Sequence, residues 1–88
     1  MEFRWHEWNV EHATQHGVSV EEIEWLIESA KPPYPEDIGT GKLMVVGQGA
    51  GGRFVQAIYV IDEDGVLYVI HARPLADHEK RRFRRRMR

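Results

Sequence analysis

The triplet His71-Ala72-Arg73 sets a histidine and a guanidinium two residues apart, and in an extended strand that spacing sends both side chains to one face. A histidine beside arginines is disfavoured in its protonated form and can serve as a base. Guanidinium groups stabilise the charge that develops on a phosphorane. Lys80, Arg81, Arg82, Arg84, Arg85, Arg86 and Arg88 follow. Cleavage of RNA through its 2′-hydroxyl needs a base for that hydroxyl, cations for the in-line phosphorane and an acid for the leaving oxygen. Histidine, arginine, lysine and tyrosine can supply all three roles, and the chemistry needs neither metal nor cofactor. The more ordinary alternative for the same residues is a half-buried His71 and an Arg73 paired with Glu79.

Other spacings carry less. His12 and His16 lie four apart, as two metal ligands on one helix would, but no His-Glu-x-x-His frame and no third ligand accompany them. The stretch Gly47-Gln48-Gly49-Ala50-Gly51-Gly52 matches neither the Walker nor the dinucleotide pattern and is not followed by Lys-Ser/Thr. It reads as a hairpin loop in which glycine is the default turn residue.

The formal net charge of −2 is a cancellation. Residues 1–64 hold four basic and twelve acidic side chains, a net −8, whereas residues 65–88 hold eight basic and two acidic ones, a net +6. A cationic patch of that density is the footprint of a phosphate-rich ligand or an acidic partner. The chain has 88 residues, 42% of them hydrophobic, and nine aromatic side chains, which is enough for one compact domain spanning 1–88. The absence of cysteine excludes a disulfide scaffold, a thiolate zinc site and a cysteine nucleophile. Even the longest apolar runs, such as Ala57 to Ile61, are too short to cross a bilayer, and no apolar leader follows Met1. A cytoplasmic protein without membrane attachment is expected.

These groups must be positioned by an α+β fold with two N-terminal helices, a three- to four-stranded antiparallel sheet and a C-terminal basic helix. The first helix carries Trp5, Trp8 and His12 on one face, with Val10 and Ala13 nearby, and ends at His16-Gly17. The second opens on the capping box Ser19-Val20-Glu21-Glu22 and carries Val20, Ile23, Ile27 and Ala30 as its apolar stripe. Lys31-Pro32-Pro33-Tyr34-Pro35 ends it, and a polar loop runs on to Lys42. Leu43 to Val46, Arg53 to Ile61 and Val66 to Arg73 read as strands, the last two joined by a two-residue turn at Asp64-Gly65. That turn sets Ile58 opposite His71 and Tyr59 opposite Ile70. One face then carries Val55, Ala57, Tyr59, Ile61, Tyr68, Ile70 and Ala72 as the core side, and the other groups Gln56, His71 and Arg73. Phe3 to Trp5 is a candidate short strand. The last helix begins at Ala76 or Asp77, with Phe83 and Met87 stacked four apart among the arginines.

Phe3-x-Trp5 with Asn9, His16-Gly17-Val18-Ser19-x-Glu21-Glu22, and Ile70-His71-Ala72-Arg73 with Glu79 and Phe83 together resemble the BrnT family of type II toxin-antitoxin ribonucleases, which have a RelE-like fold. The resemblance covers most of the chain and implies a messenger-RNA endoribonuclease. It also implies neutralisation by a DNA-binding ribbon-helix-helix antitoxin and a homodimer within that complex. The pattern departs at Gln15, His71 and Phe83, where the family usually has a basic residue, a serine and a tyrosine. The expected catalytic groups are Arg53, His71 and Arg73, with Lys80, Arg81, Arg84 and Arg85 on RNA. The competing expectation is a catalytically inactive BrnT-like module whose basic helix binds an acidic antitoxin or nucleic acid.

Overall fold

The computed structural model describes residues 1–86; Met87 and Arg88, and with them the expected Phe83–Met87 contact, lie outside the described residues. Helix α1 spans Glu7–Thr14, so Trp5 precedes the first helix instead of sharing its face, and α2 spans Val20–Glu28. Strands β1 (Glu36–Gly39), β2 (Lys42–Gln48), β3 (Phe54–Ile61) and β4 (Leu67–Pro74) form one antiparallel sheet in the order β1-β2-β3-β4, and α3 spans Asp77–Arg86. This is the expected α+β arrangement with two helices, a sheet and a basic helix.

The helix boundaries follow from local chemistry. Gly17 at φ +85° takes the left-handed position that ends α1, its N–H donating to Thr14 O at 3.0 Å. Ser19 Oγ accepts the Glu22 N–H at 3.1 Å at the start of α2. Asn9 is fully buried and acts as a polar pin: its Oδ1 accepts the His6 N–H at 2.6 Å, and its Nδ2 donates to Arg4 O at 3.0 Å and Val69 O at 3.1 Å. These bonds tie α1 to β4 and satisfy three backbone groups that burial would otherwise penalise.

The two sheet faces differ. Val45, Val55, Ala57, Tyr59, Val69 and Ala72 are buried on the side that receives α1 and α2, together with Ile23, Leu26 and Ile27 of α2. Each fully buried aliphatic side chain stabilises the fold by about 1.5–3 kcal/mol. The alternate residues Phe54, Gln56, Ile58 and Val60 are half-buried on the opposite face, where α3 lies against the sheet through Phe83, 5.5 Å from the Phe54 ring and 6.2 Å from Tyr34.

Three expectations need correction. The segment expected as loop up to Lys42 contains β1, because Gly39, Thr40 and Gly41 all adopt positive φ and fold a tight hairpin onto β2. The β3–β4 turn is one residue longer than expected: Asp62 Oδ1 accepts the Asp64 and Val66 N–H groups, Asp62 N–H donates to Val66 O, and Gly65 sits at φ +80°. Tyr59 therefore pairs with Val69, not Ile70, and Leu67 and Val69 are buried while Ile61 is exposed and Tyr68 and Ile70 are half-buried. An irregularity at Ile70 restores the register, so Ile58 does pair with His71 and Gln56 with Arg73. Phe3 makes only an isolated parallel bridge to Leu67.

Candidate active site

His71, half-buried on β4, meets the ring of His16 edge-on, with centroids 5.5 Å apart and planes at 68°. His16 is exposed where α1 ends, and Gly17 turns the chain there. Burial holds the His71 imidazole below its ordinary pKa, and the neighbouring His16 and Arg73 push it the same way. A ring kept neutral in this manner is suited to accept a proton.

Arg73 shares the His71 face through the two-residue strand repeat. Its Nη1 and Nη2 donate to Glu79 Oε1 and Oε2, both at 2.7 Å, with further bonds to Pro74 O at 3.3 Å and Gln56 Oε1 at 3.4 Å. Glu79 Oε1 also accepts the Ala76 N–H at 2.9 Å where α3 begins. The Arg73 guanidinium and that backbone donor pull the Glu79 carboxyl down to about 2. Both parts of the ordinary alternative read from the sequence, a half-buried His71 and an Arg73–Glu79 pair, are present.

Arg53 is placed elsewhere. Its Nε and Nη2 donate to Glu22 Oε2 at 3.1 Å and Oε1 at 2.8 Å, and Nη2 also donates to Gly17 O at 2.6 Å. The Glu22 carboxyl, which the capping-box pattern directs back to Ser19, is held low chiefly by Arg53. Gly49 makes room for it, since a Cβ there would come within 2.7 Å of Glu22 Oε2. Arg53 thus grips the turn that carries His16 and is not alongside Arg73; its role in this geometry is positioning.

The α3 cations form an outer surface. Lys80 lies 3.4 Å from Asp77, Arg84 stacks 5.2 Å over the Phe54 ring, and Arg86 pairs with Glu36 at 3.0 Å. Arg81, Arg82 and Arg85 are exposed and make no ion pair among the described residues. Of the departures from the family pattern, Gln15 is exposed at the end of α1 and Phe83 serves packing.

Sequence reasoning missed His16 as the partner of His71, because 55 positions separate them and only the packing of α1 on β4 joins them. His12 takes no part: its ring stacks 3.9 Å from Trp8 and its Nδ1 lies 2.7 Å from Trp8 O. Among the described residues no group of three or more His, Asp or Glu converges as a metal site, and no helix is long and apolar enough to cross a membrane. No family model, curated protein or solved structure matches the chain.

Proposed function

We propose that the protein is a metal-independent endoribonuclease, the toxin of a BrnT-like toxin-antitoxin pair. The observation that carries this reading is the His16–His71 pair with Arg73 on the same strand face, which Glu79 ties to the basic helix α3. Neutral His71 takes the 2′-hydroxyl proton, the 2′-oxygen attacks phosphorus, and the bond to the 5′-oxygen breaks. His16 delivers a proton to that leaving oxygen, so the products end in a 2′,3′-cyclic phosphate and a 5′-hydroxyl. Lys80, Arg81, Arg84 and Arg85 hold the flanking phosphates, and Arg73 keeps positive charge next to the base. The messenger-RNA substrate, the neighbouring ribbon-helix-helix antitoxin and the homodimer rest on the sequence resemblance.

A second reading is favoured by a specific feature. Both Arg53 and Arg73 are engaged by carboxylates, and four of the Arg73 donor contacts go to protein oxygens. This suits an inactive module that binds its partner through α3. Incubation of purified protein with messenger RNA separates the two. The enzyme reading expects cleavage that His71→Ala and Arg73→Ala abolish, and slowed growth on expression. The module reading expects intact RNA and loss of association when residues 84–88 are removed.

A further inference from the structure

Between the end of α2, β2 and α3 lies an open groove of about 360 Å³, within the size range of small-molecule sites, about 300–1,000 Å³. Its walls include Trp25, Leu26, Val46, Phe54 and Phe83, and the charged side chain on its lining is Lys31. Among the described residues no carboxylate lines it. Trp25, outside the buried face of α2, is 54% exposed, so a large aromatic ring lines the groove while open to solvent. The Arg84 guanidinium lies over Phe54, a wall of this groove, and exposed Arg81 and Arg85 share its helix.

We infer that this groove is a subsite for one unpaired nucleobase, stacked on Trp25, with its phosphates on Lys31 and the α3 arginines. Aromatic faces bind any base through stacking, and flanking cations track the backbone. The charge decides against an apolar anchor from a basic partner, and the lack of a lining carboxylate removes the repulsion a phosphate would meet. A second, smaller cleft continues from the groove through the shared residues Val46 and Phe83 to Gln56 and Glu79, the two side chains that hold Arg73. Phe54 stands four residues along β3 from Ile58, the partner of His71, a separation of about 13 Å at the usual strand rise. The base bound at Trp25 therefore belongs to a nucleotide a short way along the strand from the bond at His71. This inference rests on the proposed action on RNA and adds single-strandedness to the substrate.

The test uses the full chain and an uncleavable 2′-O-methyl octanucleotide, single-stranded, hybridised to its complement, or carrying abasic positions, with affinity read by fluorescence anisotropy. The expected result is preference for the single strand, about a tenfold loss on Trp25→Ala as for one lost base stack, and no such loss when the abasic strand is the probe. Trp8→Ala, which truncates another exposed tryptophan at 52% exposure, leaves affinity unchanged. Equal binding by wild type and Trp25→Ala, or equal binding of duplex and single strand, overturns the subsite. So does an acidic, aromatic-bearing peptide that binds through Trp25 where the oligonucleotide does not. Because the probe cannot be cut, binding through Trp25 in a protein that leaves RNA intact refutes the ribonuclease while keeping the subsite. Cleavage that depends on His71 but not on Trp25 does the reverse.

Discussion

The α1–α2 side and the α3 side of the sheet each carry a two-pronged arginine–glutamate pair, Arg53–Glu22 and Arg73–Glu79, and the two pairs are built for different ends. Glu22 is nearly enclosed, its side chain 11% exposed, and lies against Gly49 with no space for a Cβ. Its arginine also holds Gly17 O, so the pair joins α2, the β2–β3 loop and the end of α1. Glu79 is more open at 22% and sits at the start of α3, next to the His71 face. Similar chemistry thus serves as a structural clamp on one side and as a tether for a cation beside a neutral histidine on the other.

Variants on the two sides of the sheet differ in what they cost. Asn9→Ala, on the α1 side, leaves one buried and two part-buried backbone groups without their side-chain partner and costs about 3 kcal/mol in denaturant unfolding, while cleavage per folded molecule is unchanged. Glu22→Ala strips Arg53 of its carboxylate and costs about 2 kcal/mol, measured the same way. Glu79→Gln, on the α3 side, costs less, about 1 kcal/mol, because the amide oxygen still accepts from the Ala76 N–H and from Arg73. Instead it frees Arg73 for phosphate and raises RNA affinity severalfold. If Glu79→Gln unfolds the protein more than Glu22→Ala does, the division between clamp and tether is wrong.

The pH dependence of unfolding sharpens the same distinction. His71 is held below its ordinary 6.5, so the folded chain binds fewer protons there than the unfolded one, and stability declines as pH falls below 6.5. Glu79, lowered from 4.5 to about 2, contributes fully above 4.5 and loses its contribution as pH falls toward 2; Glu22 acts in the same direction. Thermal unfolding followed against pH should show two stages, the upper removed by His71→Ala and the lower reduced by Glu79→Gln.

The sheet and helices were legible because their signals are local: the Gly17 terminator, the Ser19 cap, and the apolar runs of β3 and β4. The tip of the β3–β4 hairpin was misread because the Asp62 side chain, by taking two backbone donors, lengthens the turn by one residue. A compensating irregularity at Ile70 then preserved the His71–Ile58 pairing. β1 escaped because an exposed, polar edge strand has no hydrophobic alternation to show. Within the site, the shared face of Gln56, His71 and Arg73 followed from strand periodicity. His16 did not, since its approach to His71 depends on the long-range docking of α1. Arg53 and His71 belong to the two strands of one hairpin, which groups them in the sequence, but an arginine at a strand end takes whatever carboxylate packing brings near, here Glu22.

The central claim is that His71 is the base of an RNA-cleaving site. Single-turnover cleavage of a single-stranded RNA by purified wild type and His71→Ala, with the product ends identified, tests it most directly. Catalysis by His71 gives 2′,3′-cyclic phosphate ends and a rate lowered by about 10²–10⁴ in the variant, with folding retained. Intact RNA after incubation with wild type, or equal rates in the two proteins, would contradict it.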